Sequence, residues 1–116
     1  MKLYDSAISN IQRKIERAQN ENPDSQQLVF EAGTIIGSTR SKVKEEWLIT
    51  RDNPMRSRLL QDLDNALYLC ADALAKSLYV PGDYNNRAKQ RRTSQYLAEA
   101  RIKCYLAADI NEGVNS

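Results

Sequence analysis

The sequence predicts an all-α fold, an antiparallel helical bundle of about four helices. Apolar residues recur at intervals of three and four along nearly the whole chain, as helices with one buried face require, and no strand-like alternation interrupts them. Pro23, Pro54 and Pro81 cut the 116 residues into four long segments, and only four Gly are present to break them further. Short connections between long helices favour antiparallel neighbours.

Helix one is predicted over about Leu3–Gln19. Tyr4, Ile8, Ile11, Ile15 and Ala18 are spaced 4, 3, 4, 3 and form a single stripe, with Arg13, Lys14, Glu16 and Arg17 on the outer side. Pro23 stops it, and Asp24 is placed to cap the next helix, with Gln27 as its capping-box partner. Helix two is predicted over about Ser25–Trp47, on the spacing of Val29, Ala32, Ile36, Val43 and Trp47, widened by Leu28 and Ile35. Its middle, Gly33-Thr34 and Gly37-Ser38-Thr39, has low helix propensity. Gly33 and Gly37 lie four apart on one face, and a neighbouring helix packed closely against them is expected in preference to a bend.

Asn53-Pro54 is a restart signal, with Asn53 as N-cap and Pro54 at the first helical position. Helix three then runs to about Tyr79 on the stripe Leu60, Leu63, Leu67, Cys70 and Leu74, broadened by Leu59, Ala66, Ala71 and Leu78, and is expected to be the most buried. Pro81-Gly82-Asp83 reads as a turn. Helix four starts near Asn85 or Asn86 and runs to about Asp109, with Tyr96, Leu97, Ala100, Cys104 and Ala107 inside. Residues 1–110 are thus expected to form one domain, and Asn111–Ser116 a frayed tail.

Composition narrows the function. With 41% apolar and 28% charged residues the chain is expected to fold, not to remain disordered. No run approaches the roughly 18 apolar residues of a membrane span, and the N-terminal stretch has no signal-peptide core, so a cytoplasmic protein without a membrane partner is expected. There is no histidine, which removes the usual general base and the commonest metal ligand. No Gly-rich phosphate loop, G-x-S-x-G or H-E-x-x-H is present. Asp62-x-Asp64-Asn65 is similar to the opening of a calcium loop but lacks its Gly and closing Glu. The expectation is a protein that is not an enzyme and needs no cofactor and no metal. Cys70 and Cys104 occupy apolar helical positions and are expected as buried free thiols; a disulfide requires the helices to bring them together.

Two features are candidates for binding. The first is the apolar face of helix one, Leu3, Tyr4, Ile8, Ile11 and Ile15, whose 4-3 spacing, shared by helix three, also suits contact between chains, either a protein partner or a second copy. The second is basic. Arg87, Lys89, Arg91 and Arg92 crowd the start of helix four, Arg101 and Lys103 follow, and Glu99 is the only acid between Arg87 and Lys103. Cations at a helix N-terminus oppose the macrodipole, so helix stability does not account for them. They are candidate phosphate contacts, with Tyr84 and Tyr96 flanking as stacking residues, or else a solvated face paired with acids on neighbours. A smaller group, Arg51, Arg56 and Arg58, precedes helix three and falls at the opposite end of an antiparallel bundle.

Leu3-Tyr4-Asp5-Ser6-Ala7-Ile8, Ala32-Gly33-Thr34-Ile35-Ile36 and Asp62-Leu63-Asp64-Asn65-Ala66-Leu67-Tyr68 occur in the order of similar stretches in the FliS family of flagellin-export chaperones. The third carries one inserted residue, the link between helices two and three is longer than in that family, and the net charge of +2 contrasts with its acidic members. This resemblance implies a small cytoplasmic bundle that wraps an extended segment of a protein partner. In length, architecture and basic fourth helix the chain is also similar in kind to the nucleic-acid-binding bundles that accompany the reverse transcriptases of diversity-generating retroelements. The sequence therefore predicts a non-enzymatic protein-binding bundle (chaperone, adaptor or assembly subunit) holding a partner helix or peptide in an apolar groove. Nucleic-acid binding through helix four is the alternative.

Overall fold

Four helices form where the proline punctuation ends each apolar run: α1 (Asp5–Asn20), α2 (Ser25–Ile49), α3 (Pro54–Leu78) and α4 (Asn86–Val114). The computed structural model describes residues 2–20, 25–80 and 85–116, and no strand occurs among them. The caps expected at Asp24, the turn at Pro81-Gly82-Asp83 and the flanking Tyr84 lie outside the described residues.

Two starts follow directly from side-chain chemistry. Asn53 Oδ1 accepts from the Arg56 N–H at 3.2 Å with Pro54 at the first helical position, and Asn85 Oδ1 accepts from the Ala88 N–H at 2.8 Å. The low-propensity middle of α2 does not interrupt it. Thr34, Thr39 and Ser41 donate their hydroxyls to the carbonyls of Phe30, Ile35 and Gly37 one turn back, so these polar groups are satisfied within the helix. The close packing expected at Gly33 and Gly37 is absent: a methyl group at either position meets nothing within 4 Å outside the helix's own turn.

Each helix packs against its neighbours in sequence, and α4 closes the ring against α1; the diagonal pairs do not touch among the described residues. Cross-contacts fix the directions. Glu46 meets Tyr4 while Glu31 meets Lys14, Arg56 meets Glu46 while Asp64 meets Arg40, Val114 meets Arg56 while Ala100 meets Cys70, and Asn111 meets Asp5 while Cys104 meets Ile8, so every adjacent pair is antiparallel. The bundle measures 52 × 25 × 19 Å. One stripe from each helix fills the centre: Ile8, Ile11 and Ile15 from α1; Val29, Ile36 and Val43 from α2; Leu60, Leu63, Leu67 and Leu74 from α3; Leu97, Cys104 and Val114 from α4.

The C-terminal end departs from the expected frayed tail. α4 continues to Val114, which is buried, and Asn111 is fully buried. Asn111 Nδ2 donates to the Leu3 carbonyl at 2.7 Å and to Asp5 Oδ1 at 2.9 Å, and Asn115 exchanges hydrogen bonds with the Leu3 N–H and carbonyl. These contacts stitch the two chain ends together. They also explain why α1 begins two residues later than expected. Tyr4 adopts φ 65°, a left-handed conformation costly for an aromatic residue, and the bonds to Leu3 on one side and the Tyr4 side chain on the other hold it there.

Candidate functional site

The face of α1 offered as a partner site is inside the bundle. Ile8, Ile11 and Ile15 are buried against the other helices, Tyr4 is half-buried and packs on the same core, and only Leu3 is exposed. The stripe that suits contact between chains is consumed by the contact within one chain, so it is not a free binding face. The Tyr4 hydroxyl donates to the Glu46 carboxylate, which Arg56 clamps while also donating to the Val114 carbonyl at 2.5 Å. Burial alone raises the Glu46 pKa, but the hydrogen bonds from Tyr4 and Arg56 outweigh it and hold the carboxyl below its ordinary value. Arg56 is thereby withdrawn from any phosphate surface; Arg51 and Arg58 remain exposed at this end.

The basic residues of α4 divide into three kinds. Arg87 and Arg91 are exposed, and neither makes an ion pair among the described residues; Arg92 is also exposed. Lys89 is half-buried and borders a cleft of mixed polar and apolar lining, about 560 Å³, with Asn20, Gln26, Ser77 and Thr93, at the end of the bundle opposite Arg56. Arg101 is committed: its Nε donates to the Tyr105 hydroxyl at 3.0 Å and lies 3.6 Å from Glu16, with the guanidinium 5.4 Å from the Tyr105 ring centre. Lys103 and Tyr96 are half-buried. The six cations therefore do not converge; Arg87, Arg91 and Arg92 share the exposed start of the helix.

Cys70 and Cys104 are free, fully buried and face each other between α3 and α4. The Cys104 sulfur beside it and the surrounding burial hold the Cys70 thiol well above the ordinary range, so it remains protonated. Among the described residues no three His, Cys, Asp or Glu side chains converge as metal ligands; Asp64 is held by Arg40, whose guanidinium also lies 5.2 Å from the Tyr68 ring centre. Among the described residues no helix is long and apolar enough to cross a membrane.

The feature that spacing rules passed over lies on the outer side of α4. Ile102 is 63% exposed, Leu106 43% and Tyr105 39%. With Ala98 they form a second apolar stripe, turned away from the inner one of Leu97, Ala100, Cys104 and Ala107. The signal was present in the sequence: Ala98, Ile102 and Leu106 are four apart, and an inner stripe already accounts for the helix's share of the core. On α4 the apolar surface outside the core is thus a ridge; Phe30, Leu48, Ile49, Met55, Tyr68 and Tyr79 are exposed elsewhere on the bundle. The cleft beside Lys89 is lined also by Val29, Leu78 and Leu97, and a smaller one of about 230 Å³ lies where Val43, Trp47 and Leu60 meet Lys44, Gln61 and Asp64.

No protein-family model, curated protein or solved structure matches this chain.

Proposed function

We propose that this chain is a non-enzymatic protein-binding bundle, a chaperone, adaptor or assembly subunit, and that its contact surface is the outer face of α4. The observation that carries this reading is the exposure of Ile102, Tyr105 and Leu106 together on a helix whose inner face is already complete. Apolar side chains grouped on a rigid helix and rimmed by charge suit a partner helix or an extended segment. The resemblance to flagellin-export chaperones supports the same class of function and names one partner to try, a flagellin C-terminal segment. A photo-crosslinking residue at position 102, compared with one at Ser9 on the polar side of α1, tests the reading in cells. Defined adducts at 102 and none at 9 are expected. No adduct at 102 refutes it.

Nucleic-acid binding is the second reading, favoured by the exposed Arg87 and Arg91, which lack acidic partners among the described residues. Fluorescence anisotropy with single-stranded RNA and duplex DNA at low and moderate salt tests it. Phosphate contacts require affinity that falls steeply with salt and is abolished by reversing Arg87, Arg91 and Arg92 without loss of stability. Absence of binding at low salt sets these residues down as a solvated face.

A further inference from the structure

The outer face of α4 is graded in charge along its length. It begins with Arg87 and Arg91, passes through Gln95 to the apolar centre of Ala98 and Ile102, and ends at Asp109 and Glu112. All of these are exposed, and the four charged residues make no ion pair among the described residues. We propose that this face binds a second copy of the chain, with the two α4 helices antiparallel about a two-fold axis near position 100. This deepens the reading of α4 as a protein-binding surface, and rests on it.

The register follows from helix geometry. A two-fold axis pairs each position with one equally far on the other side. Ala98 then meets Ile102 of the second copy, a small residue against a bulky one, and Gln95 meets the turn of Tyr105 and Leu106. Arg91 meets Asp109 of the second copy, and Arg87 lies beside the turn carrying its Glu112. The two Arg91–Asp109 pairs fall about 27 Å apart along the helix, at a rise of about 1.5 Å per residue, and so rim the apolar centre at both ends. The parallel arrangement puts Arg91 beside Arg91 and Asp109 beside Asp109, and like charges reject it. A face whose two halves complement each other in sign is the requirement of an isologous dimer, in which one patch serves both partners. The net charge of +2 leaves little overall repulsion between copies. In this arrangement the apolar centre supplies affinity and the charged ends fix direction and register.

Multi-angle light scattering and sedimentation equilibrium, from low to high micromolar concentration, test the proposal. The expected mass is twice the 13.2 kDa of the chain. Ile102→Asp, at a site that contributes little to the core, is expected to give a monomer with unchanged circular dichroism at about 25 °C and a melting temperature that no longer rises with protein concentration. Arg91→Glu and Asp109→Arg are each expected to weaken the dimer by roughly fivefold or more, and the double variant to restore it. A monomer throughout the range overturns the dimer. In that case adducts of another protein at position 102 leave the protein-binding reading standing, whereas no adduct removes both. A dimer indifferent to Ile102→Asp places the contact elsewhere and overturns the proposal. Failure of the double variant to recover overturns the antiparallel register. Loss of RNA binding in Arg91→Glu with the dimer unchanged assigns Arg91 to nucleic acid and overturns its place at the interface.

Discussion

Replacing Gly33 and Gly37 by alanine is expected to stabilise the protein. Both glycines lie inside α2 with helical, not left-handed, backbone, and an added methyl at either meets nothing within 4 Å. The gain therefore comes from the unfolded chain and from helix propensity alone, about 0.5–1 kcal/mol per site. The unfolding entropy near the melting temperature is about 2.1 cal/mol/K per residue, roughly 0.24 kcal/mol/K for 116 residues. Each single variant should then melt about 2–4 °C higher and the pair about 4–8 °C higher. Trp47, the only tryptophan and half-buried between α2 and α3, provides a fluorescence signal to set beside circular dichroism. Urea titrations should show a shifted midpoint with an unchanged slope. A lower melting temperature at either position would refute the reasoning, because it would mean that another element needs the bare turn. A higher melting temperature accompanied by loss of self-association would instead place a partner against the glycines.

Neither Cys70 nor Cys104 should react with a water-soluble disulfide reagent in the native state, and both should react in denaturant, at a rate limited by global unfolding; a fast native phase would show that α3 and α4 part locally. Glu46→Gln should lower stability at neutral pH, because the native carboxyl titrates below its ordinary value; that contribution is present above about pH 4.5 and is lost as pH falls from there through the native value. Urea midpoints of the parent and the variant should therefore converge in acid, and a constant gap would refute the assignment. Asn111→Ala should cost about 1–3 kcal/mol, since it removes a buried side chain that bonds Leu3 and Asp5, and should speed hydrogen exchange over residues 3–8; unchanged exchange there would show that these bonds do not hold the N-terminal segment.

What sequence spacing revealed, and what it left out, has one physical cause. Helix existence and most starts were legible because they depend on neighbours in the chain: Asn53 and Asn85 accept from N–H groups three residues on, and the 4-3 stripes need only helical periodicity. The far end of α4 was not legible. Asn111, Gly113 and Asn115 are poor helix formers locally, and they are ordered by bonds to Leu3 and Asp5 more than a hundred residues away and by the Leu59 side chain against Gly113. Periodicity also cannot say whether an apolar stripe faces the chain's own core or a partner. Counting stripes against the fold can. A ring of four helices takes one stripe from each into its centre, so the stripe of α1, however regular, has no share left for a partner. A helix with a second apolar side has a continuous apolar strip to spare, and α4, with Ile102 and Leu106 opposite Cys104 and Ala107, has one. The search for a protein contact therefore moves from the most regular stripe in the sequence to the surplus one.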